Sequence, residues 1–330
     1  SAYADSYSDC LDLVAEPLVV PGGETIKNDY RKLMEVVDMM LEFRLCRHSF
    51  VIVVGGGAVL DSVGFGAGIV HRGLRTVRVP TTVLAQNDAG IGVKNAMNLH
   101  GGKNTVGVFS PPFAVLNDFS LLRTLDDRDW IAGVAEAFKV ALIRDAAFFF
   151  ELCQLAPQLR RRDEQAMKRL ILRCVELHLE HLRTSDDPFE LGSVRPLDFG
   201  HWAAHYLESM TGYTLRHGEA VAIGLALDCL YAQRRGWLAK GETDAVLEAL
   251  AACGLPLWHP ALTRRLGDGH LEVLQGIEAF REHLGGRLTV TFPEGLGSSR
   301  EVHGLDEQDV EWAAERLEAE FRPVKEAKGQ

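Results

Sequence analysis

The stretch VIVVGGGAVLDSVGFGAG, residues 51–68, constrains the fold more than any other part of the chain. Its opening β-branched run reads as a buried strand, and the glycines that follow turn the chain into a helix. Gly64, Ala67 and Gly68 let that helix lie close to a sheet. A buried strand leading straight into a helix is half of a parallel crossover unit, so the stretch predicts an α/β fold. The flanking sequence keeps the same rhythm: PLVVPG, a helix from about Asp29 to Leu45, FVIVVGGG, the small-residue helix, then TVRVPTT. FAVLND reads as a further strand with Asp118 at its carboxyl end, where open sheets place ligands. The first residues read as helix, so an opening strand for this sheet is not expected within the sequence.

From Leu125 the pattern changes to long amphipathic helices, broken at Pro157, near SDDPFELG, at Gly212, at Gly236 and around GLPLWHP. GGRLTVTFPEGLGSSREVHG alternates like a β-hairpin, and a charged helix follows from about Asp306. A chain of 330 residues with 47% hydrophobic content can bury more than one core. The expected division is a Rossmann-like parallel-sheet domain over 1–122 and a mainly α-helical domain over 123–330.

The formal charge of −11 argues against nucleic acid, since RRRDEQAMKR is the one locally basic run and reads as a solvated helix end. Six cysteines lie far apart with no C-x-x-C pair, which suits reduced thiols and a cytoplasmic protein. No apolar run reaches the roughly 18–20 residues of a membrane span. No basic leader precedes an apolar core either, so no membrane partner is expected.

The glycine turn suits a phosphate, because backbone amides at a strand-to-helix turn meet an anion that the helix N-terminus favours. It departs from G-x-G-x-x-G, with Leu60 at the last glycine and Arg72, Arg75 and Arg78 downstream in place of a ribose-holding acid. A turn that binds nothing stays open at this point, with Asp61 complementing the helix dipole. PTTVLAQNDAGIGVKNAMNLHGGKNTVGVF reads as a long polar loop. Its Asp88, Lys94, Asn98, Lys103 and Asn104 make a hydrogen-bonding bed for a phosphorylated ligand, or else they are solvated loop side chains. HGGKNT lacks the leading glycine and the preceding strand of a P-loop.

DFGHWAAHYLESMTGYTLRHGEAVAIG holds three of the chain's 12 histidines. His201 and His205 are spaced as zinc ligands on one helix face, a spacing that also arises by chance, and His217 opens the next helix. In GVAEAFKVALIRD, Glu136 and Lys139 share a helix face, with an exposed ion pair as the plain alternative.

Taken in register, PGGETIK, GGGAVLD, HRGLRTVRVPTTVLAQNDAGIGVKNAMNLHGGKN, LRTL, GVAEAFK, FGHWAAH and RHGEAVAIG make the chain resemble the dehydroquinate synthase-like superfamily, the sugar phosphate cyclases. The resemblance implies a NAD domain followed by a helical metal-binding domain. It implies Glu136, His201 and His217 as ligands of zinc or cobalt, and it turns His205 to the substrate phosphate, against the spacing argument. Glu24, Lys27, Gly55, Gly56, Gly57, Asp61, Thr81 and Thr82 fall on NAD positions, and Asp118 joins them as the residue at a strand's end. Asp88, Lys94, Asn98, Lys103, Lys139 and Glu190 fall on substrate positions. Arg72 matches an arginine that reaches the neighbouring subunit, which implies a homodimer. In such cyclases NAD oxidises a ring hydroxyl, phosphate leaves, the ketone is reduced again and the opened sugar closes by an aldol step.

The chain departs from 3-dehydroquinate synthases where they hold the substrate carboxylate. His178 stands in place of a lysine and Val194 in place of an arginine, with Arg195 one residue off, and Asp198 replaces an asparagine. Without an ammonium and a guanidinium a buried carboxylate is costly. Asp198 and His283 resemble instead the branch that cyclises sedoheptulose 7-phosphate to valiolone-type cyclitols, although HWAAH differs from it. The expected substrate is therefore a neutral sugar phosphate. The alternatives are 3-dehydroquinate synthase itself, an iron-type polyol dehydrogenase that releases NADH, and a catalytically silent nucleotide-binding relative.

Overall fold

The computed structural model describes residues 11–100, 102–184, 196–283 and 288–323. Glu190, Val194 and Arg195, the first ten residues, and the side chain of His283 lie outside the described residues. The chain falls into two compact units, Ser1–Thr124 and Leu125–Gln330.

In the first unit Asp29 caps helix α1 (Tyr30–Glu42), its carboxylate accepting from the amides of Arg31 and Lys32. Strand β1 (Phe50–Gly55) runs through Gly56 into α2 (Gly57–Ile69), and β2 (Arg75–Pro80), β3 (Lys94–Leu99), β4 (Gly102–Phe109) and β5 (Ala114–Val115) follow. The sheet has the order β1-β2-β5 and is parallel throughout, while β3 and β4 pair antiparallel. Val36 and Val37 of α1, Val53 of β1 and Leu60 and Val63 of α2 share one core. The small residues of α2 serve close packing: a Cβ on Gly64 would lie 2.0 Å from Asn95 Oδ1.

Several expectations are corrected here. Only one face of β1 is covered, so Val53 is buried while Phe50, Ile52 and Val54 stay exposed. PLVVPG forms no strand, and FAVLND pairs only at Ala114–Val115, because neither finds a longer partner among the described residues. The expected polar loop is a π-turn, Ala85–Ala89, followed by the β3–β4 hairpin. Its asparagines explain how so polar a sequence forms strands. Asn95 is buried, accepts from the buried Arg78 guanidinium at 2.7 Å, and donates to the carbonyls of Val93 and Ser110.

The second unit is built of α3 (Asp127–Ala132), α4 (Val134–Arg144), α5 (Ala146–Arg160), α6 (Glu164–Thr184), α7 (His201–Met210), α8 (His217–Arg234), α9 (Lys240–Cys253) and α10 (Gln275–His283). An antiparallel hairpin, β6 (Val290–Pro293) with β7 (Ser299–Val302), precedes α11 (Glu307–Phe321). Gly212, Gly236 and Gly254, all with positive φ, stop α7, α8 and α9. Pro157 does not break its helix. It removes one bond, to the carbonyl four residues back, and the burial of Leu152, Leu155 and Leu159 on the same helix offsets that loss. No helix among the described residues is long and apolar enough to cross a membrane.

Candidate functional site

Helix α4 is buried from Val134 to Ile143, so Glu136 and Lys139 lie inside the unit. Lys139 Nζ stands 2.5 Å from Glu136 Oε2, a buried pair and not the exposed one of the plain alternative. Helix α7 opens with His201 and α8 with His217, and their Nε2 atoms lie 3.4 Å and 3.2 Å from Glu136 Oε1. The opposite ring nitrogens are anchored. His201 Nδ1 is 2.9 Å from the Phe199 carbonyl and His217 Nδ1 is 3.0 Å from Glu208 Oε2.

A carbonyl and a carboxylate only accept, so each Nδ1 carries the proton, and a neutral ring then presents a lone pair at Nε2. Two imidazole lone pairs and a carboxylate thus face one another. Neither oxygen of Glu136 receives a well-directed hydrogen bond. Three acceptors held this way repel unless a cation lies among them, and these ligand atoms all lie within 4.8 Å of one another. A tetrahedral zinc with ligands at about 2.0–2.1 Å separates its ligand atoms by about 3.3 Å, close to the spacings found. The residues present therefore fit a divalent metal. Burial pushes the Glu136 carboxyl up, but the Lys139 ammonium beside it outweighs burial and holds the group well below the usual carboxylate range.

His205 lies one turn beyond His201, its ring 5.2 Å from that of His201 and stacked 5.8 Å from that of His217. With Glu208 and His217 it makes a second possible ligand set, which shares His217 with the first. Helical spacing alone points to His201 with His205, whereas the ligand atoms pair His201 with Glu136 and His217. Asp198 ends the short turn before α7, and His178 is half-buried on α6. Glu208, Trp202 and Asp228 escaped the sequence reading. The one signal for Glu208 is its place two helical turns beyond His201, on the same face.

In the first unit Gly55 ends β1, Gly56 caps α2 and Gly57 begins it. Their missing side chains leave room for neighbours: a Cβ on Gly56 would lie 3.2 Å from Thr82 Cγ2, and one on Gly57 3.1 Å from Ala89 Cβ. The Thr81 amide donates to the Gly55 carbonyl at 2.9 Å, and Thr82 Oγ1 accepts from the Ala85 amide at 3.1 Å. Lys27 is buried, donates to Asp61 at 2.7 Å and also bonds Asn104. Glu24 accepts from Asn98 at 3.2 Å and stands 3.6 Å from Lys103. Residues read separately for cofactor and substrate thus form one polar network within this unit. Asp88 lies in the π-turn and Lys94 is exposed at the start of β3. The Asp118 carboxylate accepts from the Ser120 amide and hydroxyl, which shapes the local turn. Arg72 is exposed on a turn with φ 63.

A parallel-sheet unit with a glycine-lined strand-to-helix turn and a helical unit with a buried Glu-His-His ligand set define a class of two-part α/β metalloenzymes. Comparison with known proteins narrows the class. The profile of the 3-dehydroquinate synthase N-terminal family matches residues 17–132, and that of its C-terminal family residues 133–272. The 3-dehydroquinate synthase of Halorhodospira halophila is 36% identical over 297 residues, covering 87% of this chain and 82% of that protein. The one from Pseudoalteromonas atlantica is 34% identical over 307 residues, 92% of this chain and 84% of that protein. Among solved structures, the 2-epi-5-epi-valiolone synthase of Streptomyces hygroscopicus subsp. jinggangensis, with NAD+ and Zn2+ bound, is 33% identical with a TM-score of 0.84, covering 92% of this chain and 82% of that one. A probable glycerol dehydrogenase from Sinorhizobium meliloti shares the fold alone, at 18% identity and a TM-score of 0.60, over 98% of this chain and 90% of that one. The chain belongs to the dehydroquinate synthase-like sugar phosphate cyclase family and is a phosphate-eliminating lyase.

Proposed function

We propose that the chain is a NAD- and divalent-metal-dependent cyclase that takes a neutral sugar phosphate such as sedoheptulose 7-phosphate, releases phosphate and closes the ring by an aldol step. The observation that carries this reading is the convergence of the Glu136, His201 and His217 lone pairs beside Lys139. A zinc or cobalt ion there supplies Lewis acidity to a substrate oxygen, and NAD at the glycine turn supplies a reversible oxidation that acidifies the neighbouring C–H. The amides of Gly56 and Gly57 at the start of α2 bind its pyrophosphate, with Glu24, Lys27, Asp61, Thr81 and Thr82 around them. Asp88, Lys94, Asn98, Lys103, Lys139, Glu190, Asp198 and His205 are assigned to the substrate. The lysines fix its phosphate by charge and hydrogen bonding, so that the departing phosphate can itself take up the ring proton. A homodimer goes with this reading, because Arg72 matches the family arginine that reaches the neighbouring subunit.

The choice of a neutral substrate rests on His178, half-buried where synthases carry a lysine, and on Val194 in place of an arginine. Similarity to a 2-epi-5-epi-valiolone synthase favours the same choice. The second reading, 3-dehydroquinate synthase itself, is favoured by curated relatives at 34% and 36% identity. A substrate panel decides between them. Sedoheptulose 7-phosphate, glucose 6-phosphate and the heptulosonate phosphate of the shikimate route are scored for phosphate release, with NADH followed alongside. Release from sedoheptulose 7-phosphate without NADH accumulation is expected. Release from the heptulosonate alone would make the chain a 3-dehydroquinate synthase.

A further inference from the structure

Asp228 of α8 is 1% exposed, and among the described residues no lysine or arginine pairs with it. Its Oδ2 accepts from the Gly200 amide at 3.1 Å and its Oδ1 from Trp202 Nε1 at 2.9 Å. Gly200 and Trp202 flank His201 on either side in the chain. The carbonyl of Gly200 lies close against the same helix, since a Cβ on Gly224, one turn before Asp228, would lie 2.0 Å from it. Gly200 also needs its left-handed φ of 77 to start α7. His217 opens α8, so one rigid helix carries one imidazole of the ligand set and grips the backbone that carries the other.

A buried carboxylate without a cation is expensive, and an apolar residue of similar size would make a more stable core. Burial pushes this carboxyl up to about 7, while the hydrogen bonds from Trp202 and Gly200 pull the other way. Neither group belongs to the proposed chemistry. What the carboxylate provides is geometry: it fixes where His201 Nε2 points relative to Glu136.

We propose that Asp228, acting through Gly200 and Trp202, is a positioning residue for the metal ligand His201. The proposal rests on the metal-centred reading above. Its test is the zinc affinity of chelator-treated protein, measured by competition with a chromogenic chelator for wild type, Trp202→Phe, Asp228→Asn and the double variant, with Glu136→Gln as reference. Trp202→Phe keeps an aromatic group in this buried place while removing the Nε1–H donor together with the five-membered ring, and it stands in if Asp228→Asn fails to fold. Each single variant is expected to bind zinc about tenfold more weakly, as loss of an outer partner of a ligand does. The double variant is expected to fall short of the summed losses, since the two residues act as one unit. Affinities within twofold of wild type in both single variants, even with lowered stability, would overturn the proposal and leave the metal site standing. Wild type binding zinc no better than Glu136→Gln would instead overturn the metal reading on which it rests.

Discussion

Burial makes the charge balance at Glu136 strict, because a carboxylate and an ammonium inside a helix bundle depend on each other. Glu136→Gln keeps the size of the side chain and removes the charge. It is expected to weaken zinc binding more than about 100-fold, beyond the cost of losing an outer-shell partner. In chelator, urea unfolding should show it about 3–5 kcal/mol less stable, the usual cost of breaking a buried pair. An undiminished stability would mean that Lys139 does not depend on the carboxylate. Asp228 makes the second prediction at this scale. Its folded pKa of about 7 stands above the 3.8 of an ordinary aspartate, so its contribution is fully present below pH 3.8 and is lost as pH rises through 7. About 3 kcal/mol of that loss falls between pH 5 and 8. Asp228→Asn should lack that part of the decline in urea unfolding of the metal-free protein, and a parallel decline in both proteins would remove Asp228 as its source. Spacing along the sequence showed the residue types of the ligand set but not its members, which the family resemblance alone named as Glu136, His201 and His217. His205 has the spacing of a ligand because any two residues four apart share a helix face, and only the register of α4 brings Glu136 to His201 and His217. A local signal did exist for the burial of the Glu136–Lys139 pair. Val134, Ala135, Ala137, Phe138 and Val140 leave α4 no polar face, and a helix apolar all round is an inner one.

Among the elements, α8 organises the helical unit. His217 opens it, Gly218 lies against the Ala132 carbonyl just ahead of α4, and Gly224 and Asp228 hold Gly200 at the start of α7. All three ligand-bearing segments are thus referred to one helix. Gly224→Ala tests this, because alanine is the better helix former by about 1 kcal/mol and yet meets a backbone oxygen that has nowhere to go. The variant is expected to melt at least about 2 °C lower than wild type and to lose zinc affinity. Gly241→Ala in α9, where nothing lies within 4 Å of a new Cβ, is expected to melt higher. If both alanines raised the melting temperature, the close approach of α8 to Gly200 would not be limiting. Helices of the second unit were readable from their apolar periodicity and from the glycines that stop them. The β3–β4 hairpin was not, because its strands are specified by buried asparagines whose partners, Arg78 and the carbonyls of Val93 and Ser110, become visible only once the chain has folded. Pro157 misled for a different reason. A proline signals a break by its lost N–H, and the sequence does not say that the burial of Leu152, Leu155 and Leu159 offsets that one bond.

For the whole molecule, the α/β-then-helical order was legible in one pass, since the change from strand-and-helix alternation to long amphipathic helices near Leu125 is a change of period. The chemistry assigned to each unit can therefore be tested separately. A ligand that binds only the native state slows hydrogen exchange by the factor it adds to stability, about 100-fold at a hundred times its dissociation constant. Zinc added to chelator-treated protein should slow exchange in peptides covering 127–144 and 199–234, where α4, α7 and α8 carry the ligands, and leave 50–69 unchanged. NAD should slow exchange around the β1–α2 turn, at 50–69 and 80–92. The metal ligands all come from one unit and the glycine turn from the other, so the two patterns are read on different peptides. Zinc protection that appeared at 50–69 and spared 199–234 would mean that the convergence at Glu136 is an ordinary buried ion-pair cluster. The acidic charge of −11 would then leave the lysines of β3 and β4 as the feature pointing to a phosphorylated substrate.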